Sequence, residues 1–181
     1  MRTYRIGSKD FKNFFRVKKL DKHFIQLIKK NNLKYSTLED YEFKIKIKEI
    51  SEFLNSNKII KSGQIYKKKW EKGWSENLNK IKKKSDLLKA LIPKYFNKYP
   101  FVRINGNLYK THTNLFDYKI LNLLTSYIFI KYFKKAEQII EFGCGTGHHL
   151  LNLRKYNNNA ELIGLDWSKA SEKIMKKINK I

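Results

Sequence analysis

Cysteine is almost missing from this chain of 181 residues, with Cys144 the single example. An intramolecular disulfide and a zinc cluster built on cysteines are therefore excluded, and the composition suits a reducing compartment. Acidic residues are also few, 16 against 40 lysines and arginines, which leaves a formal net charge of +24. Arginine accounts for only five of those cations. Specific nucleic-acid sites favour arginine for bidentate contacts to bases and phosphate. The excess of Lys, Ile and Asn is also what A/T-rich codons produce, so the charge reads first as a solvated lysine surface. Runs such as Lys67-Lys68-Lys69 and Lys82-Lys83-Lys84 can still neutralise phosphates, which keeps a basic nucleic-acid-binding protein as the alternative reading.

Long hydrophobic runs are lacking too. The longest apolar stretch, Leu115 to Phe133, is interrupted by Asp117, Lys119 and Lys131, whereas a membrane span takes about 20 predominantly apolar residues. It reads as a buried helix. The N-terminus, MRTYRIGSKDFKNFF, has neither the apolar stretch nor the small-residue cleavage site of a secretory signal, so no membrane partner and a cytoplasmic location are expected. Hydrophobic residues make up 41% and aromatics 14%, enough for a folded core. The length allows one domain, or a small domain with a helical extension.

Along the chain, Phe11, Phe14, Phe15, Leu20, Phe24, Leu27 and Ile28 recur at helical steps and predict one amphipathic helix from Asp10 to Lys30. Ser36-Thr37-Leu38-Glu39 has the spacing of a capping box, which starts a second helix running to about Leu54. Within it Phe43, Ile45 and Ile47 alternate with lysine, so a strand competes there. Trp70, Trp74, Leu78 and Ile81 form a further helical stripe, weakened by Gly73. The tryptophans could stack on a sugar or base, but a stripe of this kind is more often core. Leu87, Leu88, Leu91 and Ile92 give a short helix limited by Pro93. In FVRINGNLYK, Asn105-Gly106 suits a tight hairpin turn between two short strands. After it the pattern becomes strand, helix, strand, helix, the rhythm of a parallel sheet, and no internal repeat is found.

The chemistry concentrates there. Glu137 to Phe142 reads as an apolar strand, followed at once by Gly143-Cys144-Gly145-Thr146-Gly147 and a helix from His148 to Tyr156. Glycines permit backbone angles closed to other residues, and a helix start presents unpaired amides to a ligand. A second strand, Glu161 to Leu165, ends in Asp166, placed to accept both hydroxyls of a ribose. The dinucleotide fingerprint fails because its sixth position is His148 rather than glycine, and a P-loop fails because no Gly-Lys-Ser or Gly-Lys-Thr follows.

The run E-F-G-C-G-T-G, with a following strand ending in Asp, resembles motif I and the acidic ribose position of class I S-adenosylmethionine-dependent methyltransferases. The resemblance covers roughly residues 115 to 181 and implies an S-adenosylmethionine site. Glu141 would organise the methionine end, and Gly143, Cys144, Gly145, Thr146 and Gly147 would line the cofactor. Asp166 would bind its ribose, with Trp167 beside it. A wider run, taking in Trp70, Trp74, Leu91 to Phe96, Arg103 and GLDWS, is similar to bacterial sugar O-methyltransferases. It implies a small-molecule or sugar acceptor, whereas the basic charge keeps an RNA methyltransferase as the alternative.

The expected fold is thus α/β: a partial Rossmann-like methyltransferase sheet over residues 113–181, preceded by a mainly helical substrate-side cap over 1–112 with a small β-hairpin. Such methyltransferases have a seven-stranded sheet, and only its first two strands are legible here. The sequence is therefore expected to be the N-terminal part of a longer protein, with an inactive fragment as the alternative. No metal is expected and no catalytic base is assigned. His112, His148 and His149 qualify only by residue type, the last two reading first as first-turn helix residues. Cys144 reads as a small residue filling the turn.

Overall fold

The computed structural model describes residues 2–56, 64–82 and 86–178. In chain order the elements are β1 (Thr3–Arg5), α1 (Ser8–Phe15), α2 (Lys22–Asn31), β2 (Lys34–Thr37), α3 (Asp40–Asn55), α4 (Gln64–Lys82), α5 (Leu87–Leu91), β3 (Phe101–Ile104), β4 (Asn107–Thr111), α6 (Phe116–Ile128) with a π turn (Phe129–Phe133), β5 (Gln138–Phe142), α7 (His148–Arg154), β6 (Glu161–Leu165) and α8 (Lys169–Ile178). They form two compact units that interleave in sequence rather than meeting at residue 113. One takes Met1–Ile60 and Phe96–Leu124, the other Lys61–Tyr95 and Thr125–Ile181.

The first unit has more helix than strand, as expected, but more sheet than the small hairpin expected. The hairpin β3–β4 is present, with Asn105 and Gly106 both at positive φ, but it is half of a four-stranded antiparallel sheet of order β1-β2-β4-β3. Strands of three and four residues carry too little alternation to be legible alone, and long-range pairing makes them. Ser36, expected to cap a helix, is instead buried in β2, where its hydroxyl lies 2.8 Å from His112 Nε2. The helix begins later: Glu39 is the N-cap of α3, and its amide donates to Glu42 Oε2 at 3.4 Å. The strand alternative for residues 43–47 is overturned, since a helix of 16 residues covers them.

The single helix expected from Asp10 to Lys30 is two. Arg16 turns left-handed at φ 52° and ends α1, and the Asp21 carboxylate then caps α2 by accepting from the His23 and Phe24 amides at 2.8 and 3.3 Å. The break lets Phe11 meet Phe24 edge to face at 5.4 Å, both buried. An unbroken helix would hold those side chains on one rod, roughly 20 Å apart at 1.5 Å per residue.

The second unit follows the expected rhythm. β5 and β6 pair in parallel, from Gln138 opposite Glu161 to Phe142 opposite Leu165, with α7 as their crossover. One core cluster joins Trp74, Leu78 and Leu91 to Ala170 and Ile174 of α8, so the tryptophan stripe is core in the main. Another joins Ile139, Leu153 and Ala160, against which Phe129 and Phe133 of the π turn pack. Among the described residues no helix is long and apolar enough to cross a membrane.

Candidate cofactor-binding site

Parallel pairing brings the carboxyl ends of β5 and β6 to one edge, and the chain closes that edge with backbone hydrogen bonds. The amides of Gly143 and Cys144 both donate to the Leu165 carbonyl, at 2.7 and 3.1 Å. The next amide, of Gly145, donates to Asp166 Oδ2 at 2.8 Å, while Asp166 Oδ1 accepts from the Ser168 amide at 2.8 Å. Ser171 of α8 donates its hydroxyl to the Gly145 carbonyl. The bend and the carboxylate, 21 residues apart, are thus in direct contact.

Gly143, Gly145 and Gly147 all hold positive φ, at 71°, 54° and 71°, a region that penalises any side chain. They face different surroundings. A Cβ on Gly143 would meet open space, so the bare peptide there is available to a ligand. On Gly145 a Cβ would stand 2.9 Å from the Trp74 ring, and on Gly147 it would stand 2.6 Å from Met175. These two glycines admit close packing as well as the turn. Trp74 and Met175 are therefore parts of the site that the motif did not disclose.

Behind the turn, His149 Nδ1 lies 3.0 Å from Glu141 Oε1. A carboxylate only accepts, so the ring donates from Nδ1 and, when neutral, leaves Nε2 as an acceptor. Glu141 Oε2 and His149 Nε2 are both buried and have no hydrogen-bond partner. The signal was available in sequence only as Glu141 and His149 eight positions apart, which strand and helix geometry had to bring together.

The remaining candidates divide clearly. Thr146 is buried, with Oγ1 3.1 Å from His148 Nδ1. Burial, with the neighbouring His149, pulls the His148 pKa down to about 3, so its ring is neutral at ordinary pH. Cys144 is buried and burial pushes its thiol up, which leaves no reactive thiolate. Trp167 is half exposed and lines an open cleft of about 470 Å³ with Lys67, Lys68 and Lys72. Lys83 and Lys84 lie outside the described residues. His112 belongs to the other unit and serves its sheet through Ser36. Among the described residues no group of three or more His, Cys, Asp or Glu could hold a metal ion.

No curated protein and no solved structure matches the chain. Residues 133–180 match a family model described as a methyltransferase domain, and that stretch spans β5, the glycine turn, α7, β6 and α8. The segment that builds the site is thereby identified as similar to a methyltransferase domain, in agreement with the resemblance carried by Glu141, the three glycines and Asp166.

Proposed function

We propose that this protein transfers the methyl group of S-adenosylmethionine to a hydroxyl of a small molecule or sugar, with β5–α7–β6 serving as the first βαβ unit of a class I, Rossmann-like methyltransferase. The observation that carries this reading is the contact of the Asp166 carboxylate with the Gly145 amide at 2.8 Å, at the shared carboxyl edge of two parallel strands. In doubly wound folds ligands lie at that edge.

The residues suit the cofactor. Asp166 uses one acceptor site on each oxygen for backbone amides, and a carboxylate has about four such sites, so capacity remains for two ribose hydroxyls. Glu141 Oε2, which has no hydrogen-bond partner in the structure, would accept from the methionine ammonium. Gly143 offers bare peptide beside open space. The cofactor supplies an electrophilic methyl on a sulfonium. The chain's contribution is to hold donor and acceptor in near-attack geometry.

Calorimetric titration with S-adenosylhomocysteine tests this. Binding is expected, and Gly143→Arg, whose side chain enters open space rather than the core, should abolish it while the far-UV circular dichroism is kept. Absence of binding to the parent protein would overturn the proposal.

A further inference from the structure

His149 lies in the first turn of α7 and Glu141 near the end of β5, so a helix start and a strand end set one ring against one carboxylate. His149 Nδ1 stands 3.0 Å from Glu141 Oε1, with the two side chains only 29% and 23% exposed. Glu141 makes no other ion pair among the described residues. The carboxylate is thus held at one oxygen, while Oε2 is buried without a partner.

For packing alone the ring is a costly choice. His149 Nε2 is also buried and without a partner, and an unpaired buried polar atom carries a penalty that an apolar side chain would not. The Nδ1 contact on the other edge of the ring is what offsets it.

Histidine also differs from the other donors that could hold Glu141. Lysine or arginine would cancel the carboxylate's charge, whereas imidazole in its neutral form donates from Nδ1 and leaves that charge in place. His148, whose ring is 4.0 Å from that of His149, is itself neutral at ordinary pH, since its pKa is about 3. Tying Oε1 also fixes where Oε2 points, because the Glu141 side chain loses its freedom to rotate. A charged carboxylate with one oxygen tied and the other buried and unpartnered is set for a cationic N–H donor.

We propose that His149 is a positioning residue, whose Nδ1–H holds the Glu141 carboxylate so that Oε2 accepts from the ammonium of the cofactor's methionine end; this rests on the methyltransferase reading. His149 acts through Glu141 and not by its own contact with the cofactor.

Calorimetry of the full chain with S-adenosylhomocysteine and with 5′-methylthioadenosine, which lacks the amino-acid end, tests it at about pH 8, where an ordinary histidine is neutral. His149→Phe keeps a ring and removes the donor. It should weaken S-adenosylhomocysteine about tenfold, the low end for a hydrogen bond to a charged group, and change methylthioadenosine by less than about twofold, with the far-UV circular dichroism kept. His149→Asn places an amide nitrogen at the distance of Nδ1 from the backbone and should recover most of the loss. Glu141→Gln should weaken S-adenosylhomocysteine at least as much, and adding His149→Phe to it should cost little more, because the two residues act as one arrangement. Equal S-adenosylhomocysteine binding by parent and His149→Phe, a parallel loss of both ligands, no recovery in His149→Asn, or additive losses in the double variant overturns the positioning role and leaves the methyltransferase reading standing. No S-adenosylhomocysteine binding by the parent removes that reading, and the positioning role with it.

Discussion

Replacing Asp166 with alanine should weaken the protein even with no cofactor present. Its carboxylate accepts from the Gly145 and Ser168 amides, both at 2.8 Å, and both of those residues are buried. Hydrogen bonds to a charged group contribute about 1.5–3 kcal/mol each, and the donors left behind stay unsatisfied. Asp166 is itself only half-buried, so the lower figure applies to each bond and the expected loss is about 3 kcal/mol. For a chain of this size that corresponds to a melting temperature lower by roughly 6–12 °C. Asp166→Asn retains one acceptor and turns an amide group toward the other donor, so it should fall between parent and alanine variant. Urea denaturation of the apo forms, followed by circular dichroism, measures this. An apo alanine variant within about 0.5 kcal/mol of the parent, the range of an ordinary surface substitution, would refute the idea that the carboxylate organises the turn as well as serving a ligand.

The glycines give a contrast. Gly145→Ala combines a left-handed backbone with a Cβ 2.9 Å from the Trp74 ring and should cost about 2–4 kcal/mol, whereas Gly143→Ala meets open space and should cost about 1–2 kcal/mol; paired denaturant melts check the order. Trp74→Ala removes the largest member of its core cluster and should cost about 3–5 kcal/mol, read by the same melts. His148 gives a pH signature. Its folded pKa of about 3 lies below the ordinary 6.5, so the stability it contributes is present above pH 6.5 and is lost as pH falls toward 3. Removing the titrating ring in His148→Gln should therefore flatten the fall in stability between pH 7 and 5, by at most about 1.4 kcal/mol per pH unit; equal slopes in parent and variant would contradict the buried neutral ring.

How much could be read beforehand depended on how far apart the interacting groups lie in the chain. The strand from Gln138, the bend from Gly143 to Gly147, the helix from His148 and the strand ending at Leu165 were legible because each follows from short-range rules: an apolar run, positive φ at glycine, and a helix start. The hairpin at Asn105-Gly106 was legible for the same reason, but its place in a four-stranded sheet was not. Ser36 satisfied a local capping pattern and was drawn instead into β2, because pairing with β1 and β4 and the contact to His112, 76 residues away, outweigh one cap. The break at Arg16 was hidden behind a hydrophobic period that ran on through it.

The sequence by itself therefore determined the backbone course of the glycine turn, since that is written in adjacent residues. Tertiary structure alone decided what surrounds the turn. It put Asp166 on the Gly145 amide, Trp74 against the bare face of Gly145, His149 on Glu141, and the Glu71 carboxylate on the Ala170 amide at 3.0 Å. Each of these contacts depends on where two separately folded elements come to rest, and that is set by the packing of the whole core rather than by any local pattern.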